Sequence, residues 1–348
     1  MFQRPINLVL CLLAVISIIA IDATACSLAV LKGNGDMIIA RTMDWGTPSG
    51  YVVKNYPDTQ RRAQLILFNP YRWTSKYGSI SFNLIEQVPL LGAKNVPGCG
   101  LNEKGLYAAE LWVTGPPKVK YPPNYSKPWL TSAEVVQMLL DNCANVDEAI
   151  AQLKEVSLEG FTSFQSFDMS LDLHYFVADS SGKTARLEFP DGKLSVQISP
   201  AYPAMTNNFL NISNEELTKY SGFGGTQTIP ETVSFAQKTS LMRYVLVSDS
   251  IVRLQNSGKV NIDSGFMLLD RVAASNSPVN AGDTHGITTQ WSIIYDIKNK
   301  VITYTSANNS NRRIINMSNI TFPFKNTTEK RISVQSLDTG DITNKFIN

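Results

Sequence analysis

Histidine, charge and cysteine are all scarce in this sequence of 348 residues, and each scarcity excludes a class of protein. There are only two histidines, His174 and His285, no Cys-x-x-Cys pair and no cluster of cysteine and histidine, so neither a zinc site nor another cofactor is predicted. Charged residues make up 17% of the chain and leave a net charge of +2, without long runs of Lys or Arg. The sequence therefore does not predict a nucleic-acid partner.

A long apolar segment occurs once, at the amino terminus. Arg4 lies in a short basic leader, the apolar run from Leu8 to Ile21 follows, and Ala23-Thr24-Ala25 stands directly before Cys26. This order is typical of a cleaved signal peptide. The apolar run has 14 residues, fewer than the roughly 17–25 of a transmembrane helix. We therefore expect residues 1–25 to be removed and the rest to be exported, periplasmic or secreted, without stable insertion in a membrane.

A rival interpretation of Cys26 stays open at this point. Small residues before a cysteine also mark bacterial lipoproteins, in which the sulfur carries the lipid. Ala23 argues against this alternative, because lipidation signals usually have Leu at that position. If Cys26 were lipidated, it would be an anchor, and the fold would serve as a non-catalytic binding module.

The other cysteines are Cys11, Cys99 and Cys143, and Cys11 would be lost with the leader. The remaining three form an odd number, so at least one thiol is unpaired. We favour the interpretation that Cys99 and Cys143 are small buried apolar side chains. The alternative is a disulfide between them, which would leave Cys26 as the free thiol.

The first two strands are indicated by the runs 26–31 and 37–41, which flank Asn34-Gly35. An Asn-Gly pair between apolar runs is the strongest short signal for a hairpin with a two-residue loop. We therefore predict that these strands pair antiparallel.

This loop fixes which residues face each other. It sets Cys26 opposite Met43 and leaves Arg41 and Asp44 on either side of that pair. The hairpin would thus deliver a guanidinium group and a carboxyl group to the start of the mature chain. The alternative is that Arg41 and Asp44 simply form a surface ion pair at a strand end.

The rest of the pattern predicts an α+β fold, with strands, helices and strands grouped along an antiparallel architecture. We favour one domain over 26–348, with an embedded helical layer, rather than two smaller domains. A capping box begins the first helix at Thr131, and Asn145 caps the second. The further predicted elements are a strand meander from about 172 to 200, helices at 234–254 and 262–274, and a hairpin of 291–295 with 301–305.

A cysteine nucleophile commonly uses a histidine as its base. His174 lies in a strand pattern beside Tyr175 and Phe176, which favours a packed histidine, and His285 lies in a polar loop. An amino-terminal cysteine needs neither, because the α-amine has a reference pKa of about 7.7–8.0 and the thiol one of about 8.5. The base is then part of the nucleophile's own residue.

Cys26 followed by Arg41-Thr42-Met43-Asp44-Trp45 resembles the choloylglycine hydrolase family of amino-terminal nucleophile hydrolases, which includes bile salt hydrolases and penicillin V acylases. The similarity continues in four later segments, in the family's order, and covers nearly all of the mature chain. These segments are Gly100-Leu-Asn-Glu-Lys-Gly-Leu106, Met205-Thr206-Asn207, Ser240-Leu-Met-Arg243-Tyr244 and the hairpin after Thr289. The resemblance implies a four-layer αββα sandwich, hydrolysis of a linear, non-peptide amide and a possible homotetramer.

The resemblance also implies roles for four residues at the start of the reaction. The Cys26 thiol would attack the amide carbonyl and form a thioester, with its α-amine as proton acceptor and then donor. Asp44 would hold that amine. Arg41 would favour the thiolate, and Arg243 would add a second positive charge.

Two donors for the tetrahedral oxyanion are implied as well: the Asn207 side chain and the backbone N–H of Trp112. Trp112 departs from the family pattern, since bile salt hydrolases have Asn at this place, and the spacing from Cys26 to Arg41 is also slightly shorter. The bulk of Trp112 and the leader resemble the Gram-negative branch, with penicillin V acylase-like or N-acyl-homoserine lactone acylase-like activity. We therefore expect a small-molecule amide with an apolar acyl group as substrate, with bile salts as the alternative.

Overall fold

The computed structural model describes residues 26–33, 35–45, 50–64, 66–84, 96–160, 171–234, 237–274, 288–323 and 330–347. The expected leader, Asn34 of the hairpin loop and His285 lie outside the described residues. Within those ranges the helices are α1 (Val135–Asn142), α2 (Val146–Leu153), α3 (Leu210–Leu217), α4 (Ser240–Asn256) and α5 (Ile262–Val272).

Strands hold more of the described residues than helices do. In chain order they are β1 (Ser27–Gly33), β2 (Asp36–Trp45), β3 (Tyr51–Asn55), β4 (Gln60–Arg62), β5 (Arg72–Thr74), β6 (Ser79–Asn83), β7 (Pro97–Asn102), β8 (Tyr107–Trp112), β9 (Trp129–Thr131), β10 (Ser157–Glu159), β11 (Leu173–Ala178), β12 (Thr184–Glu188), β13 (Ser195–Ile198), β14 (Ala204–Met205), β15 (Thr288–Asp296), β16 (Val301–Ser306), β17 (Asn309–Asn316), β18 (Lys330–Ser333) and β19 (Gly340–Asp341).

Two large sheets dominate the fold. The first has seven strands in the order β14-β1-β2-β15-β16-β17-β19, antiparallel except for the parallel pair β17 and β19. The second has eight antiparallel strands in the order β13-β12-β11-β8-β7-β6-β3-β18. The predicted meander is β11, β12 and β13, and the predicted closing hairpin is β15 and β16, so both are confirmed.

Three apolar cores separate four layers. One core fills the space between the two sheets, a second lies between the eight-stranded sheet and α1 with α2, and a third lies between the seven-stranded sheet and α3, α4 and α5. Each strand can serve two cores because its side chains alternate between the two faces of a sheet. The result is the αββα sandwich expected from the resemblance, and the α+β assignment is confirmed.

The β1–β2 hairpin has the predicted register. Ser27 pairs with Thr42 and Gly33 pairs with Asp36, as a two-residue loop at 34 and 35 requires. Gly35 has φ of +78°, a left-handed conformation that favours glycine in such a loop. Strand β2 is buried on both faces because alternate side chains pack into the core between the sheets and into the core beside α4 and α5, and β15 pairs with its other edge.

The predicted capping box at Thr131 is wrong. Residues Ser132–Glu134 form a 3₁₀ turn, and α1 begins only at Val135. The Thr131 hydroxyl donates to the Glu134 carboxylate (2.6 Å), which also accepts the backbone N–H of Gln64. The carboxylate therefore binds a neighbouring loop instead of the helix amino terminus. The second cap is confirmed, because the Asn145 side chain accepts the Glu148 N–H.

Helix α4 starts at Ser240, later than the predicted 234. The backbone N–H and hydroxyl of Ser234 both donate to the side-chain oxygen of Gln237, and such local bonds compete with a helix. Thr239 then caps α4 by accepting the N–H of Met242.

All three cysteines within the described residues are free and buried. Cys99 lies in the core between the sheets, whereas Cys143 lies in the core on the other side of the eight-stranded sheet, next to α1. The sheet between them explains the absence of a disulfide, and the interpretation of both as small buried side chains is confirmed. No helix in the described ranges is long and apolar enough to cross a membrane.

Candidate active site

The six residues singled out from the sequence come from both sheets and from the helical layer beside the first sheet. They are Cys26 directly before β1, Arg41 and Asp44 in β2, Trp112 at the end of β8, Asn207 just after β14, and Arg243 in the first turn of α4. All except Trp112 are almost fully buried.

The hairpin presents two different faces. Cys26 and Met43 belong to the core between the sheets, with their sulfur atoms 3.4 Å apart, as the predicted pairing requires. Arg41 lies on the same face, two residues from Met43 along β2. Asp44 lies on the opposite face, which is turned toward α4 and α5. The thiol and the carboxyl group are thus separated by the strand backbone.

Arg41 spans the gap between the sheets. Its guanidinium donates to the backbone oxygens of Gly98 and Glu110 in the eight-stranded sheet, the second of these at 2.8 Å. These bonds hold the positive charge beside the thiol and exclude the alternative of a surface ion pair. Burial raises the pKa of the Cys26 thiol, and the charge of Arg41 opposes that rise.

Asp44 is held by two hydroxyl groups. Thr289 Oγ1 donates to one carboxyl oxygen (2.6 Å), and Thr42 Oγ1 donates to the other (3.3 Å). Thr42 Oγ1 also accepts the backbone N–H of Ser27 (3.0 Å), which links the carboxyl group to the start of the chain. Burial raises the pKa of Asp44 to about 6, against the charge of Arg243 and the two hydroxyl bonds.

Arg243 joins the start of β1 to Asn207. One guanidinium nitrogen donates to the Cys26 carbonyl oxygen (2.5 Å) and to Ser27 Oγ (2.8 Å), and the other donates to Asn207 Oδ1 (2.7 Å). The second positive charge expected from the sequence is therefore present, but its hydrogen bonds go to the backbone of Cys26 and not to the sulfur.

The two predicted oxyanion donors are neighbours. Asn207 Nδ2 donates to the backbone oxygen of Trp112 (2.7 Å), while the backbone N–H of Asn207 donates to Ser240 Oγ (2.8 Å). The Asn207 amide has two N–H bonds, and one of them is used by Trp112. The contact is made by the carbonyl oxygen of Trp112, and the expected roles of the Asn207 side chain and of the Trp112 N–H as oxyanion donors stay predictions.

The side chain of Trp112 stacks on Trp45, with ring centroids 5.9 Å apart and planes at 23°. Gln290 Nε2 donates to the Trp45 carbonyl oxygen (2.6 Å), at the β-bulge between Thr289 and Trp291. Bulges often re-aim side chains next to active sites. The stacked rings form a partly exposed apolar surface at the edge of the candidate site.

His174 is a packed histidine, as predicted. It is fully buried, and its two ring nitrogens contact Glu188 and the Thr206 carbonyl oxygen, not Cys26. Burial lowers its pKa, although the hydrogen bond with Glu188 opposes that shift. Among the described residues there is no group of three His, Cys, Asp or Glu side chains that could hold a metal ion.

Sequence reasoning missed Thr289 and Gln290 as parts of the site. Both lie at the start of β15, and their contacts with Asp44 and Trp45 depend on a pairing between distant strands. The one local signal was their position at the beginning of the predicted closing hairpin.

Comparisons with known proteins show the family and the fold of this chain. The sequence matches the family described as linear amide C–N hydrolases, choloylglycine hydrolase family, over residues 26–333. A penicillin V acylase from Pectobacterium atrosepticum is 29% identical over 298 residues, which cover 82% of this chain and 78% of that protein.

Two solved structures share the fold. The penicillin V acylase from Agrobacterium tumefaciens has a TM-score of 0.73 and 24% identity, covering 93% of this chain and 97% of that one. A variant of the conjugated bile acid hydrolase from Clostridium perfringens has a TM-score of 0.71 and 17% identity, covering 91% of this chain and 98% of that one.

Proposed function

We propose, on the premise that this chain belongs to the choloylglycine hydrolase family and is a linear amide C–N hydrolase, that Cys26 is its nucleophile once residues 1–25 have been removed. The observation that carries the proposal is the convergence of Arg243 and the Asp44–Thr42 pair on the backbone of residues 26 and 27. Such contacts hold the start of a chain in place, which a nucleophile with its own α-amine as base requires.

The proposed reaction has two stages. The α-amine of Cys26 takes the proton of the thiol, and Sγ attacks the amide carbonyl carbon. As the C–N bond breaks, the ammonium gives its proton to the leaving amine, and a thioester remains on Sγ. Water, deprotonated by the same amine, then attacks the thioester and releases the carboxylic acid.

The charged neighbours have separate tasks in this scheme. Asp44, with a pKa of about 6, is a carboxylate at neutral pH and stabilises the ammonium form of the α-amine. Arg41 stabilises the thiolate, whose formation burial disfavours. The second N–H of the Asn207 amide and the backbone N–H of Trp112 stabilise the tetrahedral oxyanion.

We propose a substrate with an apolar acyl group that packs on the stacked rings of Trp45 and Trp112. The relatives' names point to two acyl classes, penicillin V and conjugated bile acids. An acyl group of the penicillin V type, or the alkyl chain of an N-acyl-homoserine lactone, fits a flat aromatic surface. A bile salt is the second candidate.

A substrate panel tests this assignment. The mature enzyme should hydrolyse penicillin V or an N-acyl-homoserine lactone with a kcat/KM at least about tenfold above that for a bile salt conjugate. Trp112→Phe, which keeps an aromatic ring, should retain most of the activity that Trp112→Ala loses. Preference for bile salt conjugates would reverse the order of the two candidates.

Export and processing are proposed together with the mechanism. Mass spectrometry of the exported protein should give a chain that begins at unmodified Cys26. A diacylglyceryl group on the sulfur would instead support the lipid-anchored binding module. The burial of Sγ against Met43 argues against that alternative, since a lipid at this atom has no path to a membrane.

A further inference from the structure

Three buried charged side chains have no part in the chemistry above. They meet on the eight-stranded sheet, where His174 of β11 and Glu188 of β12 extend the cross-strand register next to Tyr175 and Leu187. Glu188 Oε1 lies 3.0 Å from His174 Nδ1 and accepts Arg186 Nε at 2.6 Å. Burying a charged group is costly unless it is paired and hydrogen-bonded, so this cluster calls for an explanation.

The outer polar atoms of the cluster all bind one short segment of backbone, at alternate residues on either side of Asn207. Two carbonyl oxygens of this segment accept from Arg186, a third contacts His174 Nε2, and one backbone N–H donates to Glu188 Oε2. The bound atoms are the oxygens of Ala204, Thr206 and Asn208 and the nitrogen of Leu210.

The backbone of Asn207 itself is held by other partners. Asn207 O accepts the backbone N–H of Thr114 (3.0 Å), and Asn207 N donates to Ser240 Oγ (2.8 Å). Asn207 therefore sits in backbone that is fixed on both sides, while its own side chain is left for Trp112 and Arg243.

The protons of the cluster are assigned by its partners. The Thr206 carbonyl oxygen at Nε2 (2.8 Å) and the Glu188 carboxylate at Nδ1 (3.0 Å) only accept, so both contacts need a ring N–H, and the doubly protonated ring supplies both against the burial that lowers the pKa of His174. Burial would raise the pKa of Glu188, but Arg186 and His174 outweigh it and lower the value to about 2. Glu188 is thus a carboxylate that orients Arg186 and His174 toward the segment.

We propose that Arg186, Glu188 and His174 are positioning residues that fix the Asn207 amide for oxyanion binding. This role rests on the proposed function, in which Asn207 is an oxyanion donor. The proposed role concerns the exact position of the Asn207 amide, because a displacement of about 1 Å caused by a change far from the chemistry can cost about 100-fold in rate. The cluster acts only through Asn207, so substrate binding should be nearly unaffected.

Arg186→Lys in the full mature chain tests the proposal. Lysine keeps the charge beside Glu188 but cannot reach both Ala204 O and Asn208 O. We expect kcat to fall by about 10- to 100-fold with KM changed by less than about threefold. The rate at which a small alkylating reagent modifies Cys26 should stay within about twofold, since the thiol keeps its neighbours.

Arg313→Lys is the matched control. Arg313 is also fully buried and donates to the carbonyl oxygens of Val334, Ser336 and Asn309, far along the chain from the candidate site. It should lower the melting temperature as Arg186→Lys does while leaving kcat unchanged. An equal fall of kcat in both variants would show a general loss of folding and overturn the proposal.

His174 gives a second test if Arg186→Lys does not fold. His174→Gln places an amide N–H near Thr206 O, whereas His174→Leu has no donor, so the glutamine should restore most of the kcat that the leucine loses. A crystal structure supplies a readout without activity: the distance from Asn207 Nδ2 to Trp112 O, 2.7 Å here, should lengthen in Arg186→Lys and in His174→Leu.

These readouts separate the two proposals. An inactive wild-type enzyme would contradict the proposed function, and the crystal structures would still decide whether the cluster positions Asn207. Unmoved Asn207 in both variants, or a wild-type kcat in His174→Leu, would overturn the positioning role.

Discussion

Cys26 and Cys99 are both buried thiols in the core between the two sheets, and the positive charge of Arg41 interacts with both. Their surroundings differ in the backbone. Cys99 lies inside β7, paired with Phe82 on one side and Ala109 on the other, and its sulfur is 3.2 Å from Tyr295 Oη. Burial beside Arg41 is therefore common to both thiols and does not by itself single out the proposed nucleophile.

What distinguishes Cys26 is its place at the start of the proposed mature chain. Its carbonyl oxygen accepts a hydrogen bond from Arg243. The N–H of the following residue donates to the Thr42 hydroxyl, which in turn donates to Asp44. Leaving aside the shared Arg41, the groups around Cys99 are Tyr107 and Tyr295, whose phenols burial keeps neutral by raising their pKa. In the proposed mechanism, a fixed amine and a carboxylate, more than the thiol's own burial, distinguish Cys26 from Cys99.

The largest expected effect comes from replacing each of the two cysteines by alanine, in separate variants. Cys26→Ala should lower kcat/KM by about 10⁴-fold or more, because no covalent intermediate forms. Cys99→Ala should keep kcat/KM within about twofold and cost about 1 kcal/mol of unfolding free energy. Steady-state kinetics and denaturant unfolding of both variants check this, and an inactive but folded Cys99→Ala would break the comparison.

A smaller loss is expected when the thiol stays and only the amine changes. One extra Met before Cys26 turns the α-amine into an amide, which cannot accept a proton, so kcat should fall by about 10²- to 10⁴-fold. Removing that Met with an aminopeptidase should restore the activity. Full activity of the extended chain would show that the base lies elsewhere.

The smallest effect is expected from Asp44, which acts on the amine and not on the thiol. Its pKa is about 6, so kcat/KM should fall as the pH is lowered through that value, when the carboxylate that holds the amine is lost. Asp44→Asn should be about 10- to 100-fold slower at neutral pH and should lack the part of the acidic limb that is centred near pH 6, while the fall caused by protonation of the α-amine remains. The pH–rate profiles of the two enzymes give the measurement.

Asp141→Asn is the control for that profile. Asp141 is also fully buried, and burial raises its pKa, but it binds Arg61 and Trp73 beside α1. The variant should be less stable and keep the acidic limb. Loss of the limb in Asp141→Asn would assign it to unfolding in place of Asp44.

The position of Arg41 relative to Cys26 was predictable because it depends on local turn chemistry. Once Asn34-Gly35 is the loop, the period of two along each strand determines every pair of the hairpin. The four layers followed from the family resemblance and not from the periodicity. The start of α4 was predicted too early because Ser234 and Gln237 form a local turn that propensity does not register.

The contacts of Arg186, Thr289 and Gln290 were not predictable from the sequence. Each side chain binds a residue that is distant along the chain or belongs to another element, and no spacing rule connects such positions. Arg243 and Asn207 could be named only through the resemblance, since nothing in their local sequence indicates that they touch. Long-range packing, which selects among many compatible partners, decides these cases.

The guanidinium of Arg41 crosses from one sheet to the backbone of the other, and it thereby ties the proposed nucleophile to the strand that ends in Trp112. The candidate site thus lies between the two large sheets, and the strands of each sheet are hydrogen-bonded to one another. A slight slide of one sheet over the other would separate the sulfur from the proposed oxyanion donor at Trp112 while the strands within each sheet remain paired. We therefore expect heating to abolish the activity of the enzyme at a lower temperature than the one at which its sheets unfold.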